Sequence, residues 1–464
     1  HKAIRRQRQM CIRDRIYMTK VITYGTYDLL HFGHINLLTR AKALGDYLIV
    51  GVTSEDFDRN RGKINVKQSL MERIEAVKAL NIADEIIVEE YEGQKIDDIK
   101  RYGIDIFTVG SDWVGKFDYL NEYCKVVYLE RTEGVSSSGL RSEQSKIKLG
   151  IAGDDVYLQR IFKESKFVNS IESVSLYKKN IEQAESDFEG ITFITDNYDE
   201  LLERVDAVYI HSFPENHYQL IKLALEQRKH VLCEEPMVLD PGQLKELEVL
   251  AKEKKCILMS SLRTAYATAY MRLLLLIKSG MIGQVKLVEA TCTSLKNKQL
   301  LIENNLEEQW NSICEWGPTA MLPVFQILGT KFIRKTIASN LLKENPKFDL
   351  FTKIDFVFPS AVASIQVGQG VKSEGSLIIA GTEGYIYVPA PWWKTDYFEV
   401  RFENMERNKR YFYQLDGEGI RFLLLAFCRA IENGKDPGYI TKDVSRAMVE
   451  IVNDFYNHVD LYEI

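Results

Sequence analysis

Apolar positions along this chain follow two different periods, and the places where one gives way to the other mark its elements. From residue 18 to about 141, short β-branched runs at 21–24, 47–52, 85–88, 106–109 and 125–129 predict strands. Between them, apolar residues three and four apart predict helices at 35–44, 70–79 and 96–102, the last stopped by Gly103. Such alternation implies a parallel sheet with helices on both faces. The polar, serine-rich stretch 135–145 reads as an exit from this first domain. A second α/β series follows, with strands at 148–152, 174–177, 207–211 and 230–233 and helices at 198–203, 217–227 and 242–253. From about residue 263 the texture changes. One helix at 270–279 precedes β-rich runs at 285–293, 351–358, 361–367, 376–380 and 385–388, with little helix expected until Gly417. Two helices, 420–432 and 442–457, close the chain. The expected domains are therefore 18–142, 146–262 and 263–464.

Composition narrows the function classes. A chain of 464 residues exceeds what one hydrophobic core organises. Its net charge of −6 weighs against a general nucleic-acid binder. Seven cysteines without paired spacing suit a reducing cytoplasm and provide neither a disulfide framework nor a zinc site. No window is long and apolar enough to span a bilayer, since residues 273–277 are flanked by Arg272 and Lys278. Residues 1–17 are basic, lack an apolar core and carry an adapter-like run at 8–14, whereas Met18 stands where a natural start would. They are read as a non-native extension.

The densest chemistry lies in Tyr24-Gly25-Thr26-Tyr27-Asp28-Leu29-Leu30-His31-Phe32-Gly33-His34. A strand, a glycine-bearing turn and a helix start coincide there with two imidazoles three positions apart. Amides at such a helix start bind anions, and both rings can donate to one phosphate. Gly25, Thr26 and the turn amides are candidates for holding a triphosphate. Arg61 and Lys63, after the second strand, are candidates for neutralising it, although taken alone they read as solvated loop charges. Asp28 and Asp112 are candidates for magnesium or for substrate hydroxyls. The two histidines also have the spacing of a metal pair, but no third ligand is apparent.

Four separated segments then agree, in order, with one family: 25–34, Met71-Glu72-Arg73, Gly110-Ser111-Asp112-Trp113-Val114-Gly115-Lys116-Phe117-Asp118, and Arg131-Thr132-Glu133-Gly134-Val135-Ser136-Ser137-Ser138. Residues 18 to about 142 resemble the glycerol-3-phosphate cytidylyltransferases, within the H-x-G-H nucleotidyltransferase superfamily. The resemblance implies CTP and glycerol 3-phosphate or a related polyol phosphate as substrates, and Mg2+ as the ion bridging phosphate oxygens. It also implies catalytic roles for His31, His34, Lys63 and Arg131, with His34 nearest the attacked phosphorus. Arg131 and Thr132 would meet CTP, Ser136 and Ser137 its phosphates, and Arg73 would be a further cationic anchor for substrate.

Residues 146–464 resemble the Gfo/Idh/MocA family of sugar and polyol dehydrogenases, through 206–217, 224–236 and Gly381-Thr382-Glu383-Gly384-Tyr385-Ile386. The fold class expected is thus α/β: a Rossmann-like nucleotidyltransferase, a dinucleotide-binding-type Rossmann domain, and an α+β open-sheet domain. Three departures weigh against NAD(P) chemistry. Gly153 opens the cofactor turn, but Asp155 replaces its second glycine; Glu235 replaces the lysine of an E-K-P motif; Thr319 falls where a histidine is expected. Lys178 and Lys179 have the place of a 2′-phosphate site and equally that of surface charges, while His217 either lines a pocket or starts its helix.

These readings lead to a cytoplasmic cytidylyltransferase making CDP-glycerol for teichoic-acid-like polymers. Its second half would bind or dimerise, the homodimer being expected by fold analogy, with no nucleic acid or membrane partner. The alternatives are a bifunctional enzyme whose reductase half makes the polyol phosphate, and a non-enzymatic sensor or scaffold.

Overall fold

The computed structural model describes residues 18–54, 66, 68–90, 93–130, 146–153, 157–168, 170–179, 188, 190–297, 306, 309–394, 397–412 and 415–464. The chain divides into two compact units, residues 1–144 and 145–464.

In the first unit the described strands are β1 (Lys20–Gly25), β2 (Tyr47–Thr53), β3 (Glu85–Glu89), β4 (Ile106–Gly110) and β5 (Lys125–Leu129). All pair in parallel, in the order β3-β2-β1-β4-β5. Successive β1 residues serve opposite faces, as a period of two requires. Val21 packs with Leu38 of α1 (Phe32–Lys42) and Val77 of α2 (Leu70–Ala79), whereas Ile22 packs with Ile99 of α3 (Gln94–Tyr102) and with Phe107. Helix α2 starts at a capping box, Ser69 with Glu72, and α3 ends at Gly103 in the left-handed region. The chain winds outward from β1 through β2 to β3, then returns to the other side of β1 for β4. That reversal opens a crevice at the carboxyl ends of β1 and β4, where sheets of this type hold ligands.

The second unit contains a six-stranded parallel sheet ordered β11-β10-β9-β6-β7-β8. Its strands are β6 (Ile147–Ala152), β7 (Ile171–Tyr177), β8 (Phe193–Thr195), β9 (Ala207–Ile210), β10 (His230–Glu234) and β11 (Leu258–Ser261). Helices α4 (Tyr157–Ser165), α5 (Tyr198–Arg204), α6 (Pro214–Glu226) and α7 (Pro241–Lys254) make the crossovers. After α8 (Thr268–Lys278) come β12 (Val285–Thr293), β13 (Arg334–Leu342), β14 (Asn345–Val357), β15 (Val362–Gly368), β16 (Leu377–Gly381), β17 (Tyr385–Val388), β18 (Tyr397–Arg401), β19 (Lys409–Phe412) and β20 (Leu461–Glu463). They form a nine-stranded mixed sheet, ordered β19-β18-β17-β16-β12-β15-β14-β13-β20. One apolar cluster runs from Ile151 and Tyr209 through Ile365 and Ile386, so this unit's core is continuous across residue 263.

Sequence periodicity misses several elements, and one miss is large. Helix α9 (Ser312–Leu328) lies where little helix is expected. Pro318 and Pro323 stand inside it and eleven of its seventeen residues are buried. Two prolines read as breakers and an all-round apolar helix shows no amphipathic stripe, so both usual signals fail. Packing against β12 (Val285–Thr293) and β15 (Val362–Gly368) outweighs the missing N–H donors. Also unforeseen are α4, β8, β11, β13 (Arg334–Leu342), β18 (Tyr397–Arg401), β19 (Lys409–Phe412) and β20 (Leu461–Glu463). No described helix is long and apolar enough to cross a membrane.

Candidate active site

The crevice of the first unit is built by the loop from β1 to α1. Tyr27 and Leu29 both hold left-handed backbone, at φ 53° and 48°, which bulky residues adopt only under constraint. The constraint is visible. Asp28, 1% exposed, accepts from the Gln68 amide at 2.9 Å, and the Gln68 side chain accepts from the Leu29 amide at 2.7 Å. Arg73, fully buried, donates to the carbonyls of Thr26, Thr53 and Gln68 at 2.8, 2.9 and 3.1 Å. The guanidinium expected to anchor substrate instead clamps the ends of β1 and β2 to the start of α2. Asp28 likewise has its Oδ1 on a backbone amide, and it contributes to no cluster of three metal-ligating side chains among the described residues.

His31 caps α1. Its Nδ1 accepts from the Gly33 amide at 3.1 Å, and its carbonyl accepts from the His34 amide at 2.9 Å. A Cβ on Gly33 would come within 3.0 Å of the His31 ring, so glycine leaves that ring its place. The His31 and His34 rings stack with centroids 3.9 Å apart, and Tyr27 meets His34 edge-on at 5.6 Å. Burial lowers the His31 pKa from 6.5, so the ring is neutral at pH 7. With Nδ1 accepting, its proton sits on Nε2, leaving that nitrogen a donor. Two imidazoles thus share the amino end of a helix, the place where anions are stabilised.

Across the crevice, the level of Gly110 matches that of Gly25, because Thr23 pairs with Thr108. Asp112 follows on a short 3₁₀ turn, Ser111–Trp113, and is exposed. Sequence reading passes over Lys95. Its ammonium is buried, paired with Glu89 at the end of β3, and lies 4.8 Å from the Tyr24 ring and 5.4 Å from the Phe117 ring. A buried cation over aromatic faces, at the carboxyl edge of the sheet, is suited to a charged ligand. Arg40 donates to the Glu130 carbonyl at 2.8 Å, which sets the chain leaving β5 beside α1. Arg61, Lys63, Arg131, Thr132, Ser136, Ser137 and Asp155 lie outside the described residues.

The cytidylyltransferase-like family model matches residues 22–261, more than half of the chain. The chain belongs to the cytidylyltransferase-like family. The glycerol-3-phosphate cytidylyltransferase of Bacillus spizizenii is 45% identical over 130 residues, which are 28% of this chain and 100% of that protein. Its Bacillus subtilis counterpart is 48% identical over 126 residues, 27% of this chain and 97% of that protein. The first unit is thus a nucleotidyltransferase of this family. The rest of the chain has the fold of Gfo/Idh/MocA-type sugar oxidoreductases. The 3-ketoreductase KijD10 of Actinomadura kijaniata, solved with NADP and TDP-benzene, superposes with a TM-score of 0.61 at 18% identity, covering 69% of this chain and 99% of that one. Levoglucosan dehydrogenase, solved with NADH and levoglucosan, gives 0.59 at 16% identity over 68% and 97%.

At two of the positions that the sequence singles out, the second unit carries Glu235 and Thr319. Glu235 is buried, accepting from the Ser445 hydroxyl at 2.6 Å and the Met237 amide at 2.8 Å, and burial raises its pKa. An internal carboxyl engaged in this way does not replace a lysine. Thr319 lines the neighbouring cavity and offers only a hydroxyl. Gly153 is required by packing, since a Cβ there would lie 1.9 Å from the His211 carbonyl oxygen. His217 is fully buried, its ring nitrogens 3.0 and 2.8 Å from the carbonyls of Pro236 and Ser212, so it ties two loops together.

Proposed function

We propose that the first unit is a CTP:glycerol-3-phosphate cytidylyltransferase. A phosphate oxygen of the acceptor attacks the α-phosphorus of CTP in line. The new P–O bond forms as the bond to the bridging oxygen breaks, and pyrophosphate leaves with the electron pair. The nucleophile is already ionised at neutral pH, so the site needs no general base. Its task is to hold two repelling anions together and to stabilise charge on the transferring group.

The stacked pair His31 and His34 at the start of α1 carries this reading. His31 would donate from Nε2 to a phosphate oxygen, with His34 beside it on the transferring phosphorus. Gly25 and Thr26 would line the triphosphate. Lys95, paired with Glu89 at the carboxyl edge of the sheet, would receive the acceptor's phosphate. Arg61, Lys63, Arg131, Thr132, Ser136 and Ser137 complete the proposed set. Asp112, exposed on its 3₁₀ turn, and Asp28 would be the carboxylates to hold Mg2+, which would offset the charge of the phosphates.

The test is pyrophosphate release from CTP with glycerol 3-phosphate. His34→Ala is expected to lower kcat about 10²–10³-fold, the usual cost of losing a preorganised donor. A wild-type chain that releases no pyrophosphate with any polyol phosphate overturns the proposal.

A further inference from the structure

We propose that Tyr27 is a positioning residue for cytidylyl transfer: its ring, together with that of His31, fixes the His34 imidazole in the place from which it donates. The inference rests on the transfer reading above and deepens it. The His34 ring meets two others, stacking on His31 with centroids 3.9 Å apart and meeting Tyr27 edge-on at 5.6 Å, with 68° between the planes. The His31 ring is itself held, because its Nδ1 accepts from the Gly33 amide at 3.1 Å. Tyr27 is held by the core. It is 1% exposed and belongs to the apolar cluster of Val21, Val52, Leu38 and Leu70, which joins β1, β2, α1 and α2. A half-buried imidazole at the crevice is thereby tied to the rigid part of the unit.

Two features separate Tyr27 from an ordinary core aromatic. The first is the backbone that delivers it. Its φ of 53° is left-handed, a conformation that bulky side chains disfavour, and strain of this kind gathers where a site needs a fixed geometry. Gly25 clears the space, since a Cβ there would lie 2.9 Å from the Tyr27 Cζ. The second is the hydroxyl. Burial raises its pKa, so it stays protonated at pH 7 and moves no proton. The Thr23 hydroxyl offsets part of that rise, yet neither oxygen makes a hydrogen bond of ordinary geometry among the described residues. A buried hydroxyl without a partner costs stability. What this position supplies is therefore the ring and not the oxygen.

A histidine side chain turns about two bonds, and a donor to the transferring phosphorus works only when both are set. Misplacing a catalytic group by about 1 Å costs up to about 10²-fold in rate. Aromatic contacts on the His34 ring restrict that turning before substrate arrives, which is preorganisation. Tyr27 acts through His34 and contacts neither substrate. Its removal should therefore lower kcat and leave KM in place, whereas a ring that served the core alone would change stability and nothing else.

Two readouts on the full chain test this. In pyrophosphate release from CTP and glycerol 3-phosphate, Tyr27→Leu should lower kcat about tenfold with KM for CTP within about twofold of wild type. Tyr27→Phe keeps the ring and should restore kcat. Val77→Ala, a cavity in the same cluster on α2, should lose stability with kcat intact. The second readout is NMR with the seven histidines isotopically labelled at Cε1. The His34 signal, identified as the one missing from His34→Gln, should shift in Tyr27→Leu and keep its place in Tyr27→Phe. It needs no turnover, so failure of the positioning is told apart from failure of the transfer reading. Tyr27→Met replaces Tyr27→Leu in both measurements if the leucine variant does not fold. An unmoved His34 signal or an unchanged kcat in the folded variant overturns the proposal. So does an equal loss of kcat in Val77→Ala, and an equal loss in Tyr27→Phe overturns the assignment to the ring.

Discussion

Replacing Arg73 by methionine separates a clamp from a substrate anchor. The side chain is fully buried and bonds three main-chain carbonyls at 2.8–3.1 Å. Methionine fills a similar volume but donates nothing, so each carbonyl loses a charged donor. A buried acceptor left without its donor costs about 1–3 kcal/mol. The Gln68 carbonyl belongs to a half-buried residue that water reaches, so the expected loss is about 3–5 kcal/mol rather than the full sum. For a unit of this size that corresponds to a melting temperature lower by about 10–20 °C. Scanning calorimetry of the full chain should show the transition of the first unit moving while that of the second stays. Arg73→Lys, which keeps the charge but not the planar fork, should lose roughly half as much. Substrate should rescue neither variant beyond ordinary mass action. An unchanged melting profile together with a raised KM for CTP would refute the clamp and return Arg73 to the ligand.

Two further outcomes follow from single side chains. His31→Ala removes both a helix cap and a phosphate donor, so it should lose about 0.5–2 kcal/mol of stability as well as activity. His31→Asn restores the cap, and its stability should return to within about 0.5 kcal/mol of wild type while kcat stays roughly 10²-fold down; an asparagine variant with near-normal turnover would sink the donor role. His217 should make the second unit acid-labile. Burial lowers its pKa from 6.5 to about 4 despite the two facing carbonyls. The unfolded chain therefore takes up a proton between these values and the folded chain does not, so stability is intact above pH 6.5 and falls as pH drops towards 4. The loss amounts to about 3 kcal/mol. Urea midpoints followed against pH should flatten over that window in His217→Gln, and an unaltered slope would count against it.

What the sequence reveals and what it hides divide along physical lines. Strands β1 to β5 are legible as short β-branched apolar runs of a sheet covered on both faces, and helix α2 because a period of 3.6 survives where one face is dry and the other wet. Helix α9 is hidden because burial all round erases the period and its prolines mimic a terminus. The H-x-G-H turn is legible because a rare residue pair coincides with a strand-to-helix junction. The opposite assignment of Arg73 is natural from sequence, where a cation beside a phosphate motif looks like an anchor. Only the fold shows three carbonyls around it. Lys95 hides for the reverse reason: on α3, among Gln94, Asp97 and Asp98, it reads as part of a solvated face, yet Gln94, Lys95 and Asp98 are all buried.

Both parallel sheets reverse direction beside their first strand, between β1 and β4 in one and between β6 and β9 in the other. The same topology therefore opens two crevices, and the residues bordering them differ. At β1 the chain leaves through a strained loop that presents paired imidazoles at a helix start, with backbone polarity and neutral donors directed at the opening. At β6 it leaves through Gly153, packed so closely on the carbonyl of His211 that no side chain fits between them. The acidic Glu235 nearby accepts from the Ser445 hydroxyl, away from the opening. The first crevice is bordered by a helix start, which stabilises anions, whereas the second is bordered by Glu234 and Glu235, carboxylates that accept hydrogen bonds from within their own unit.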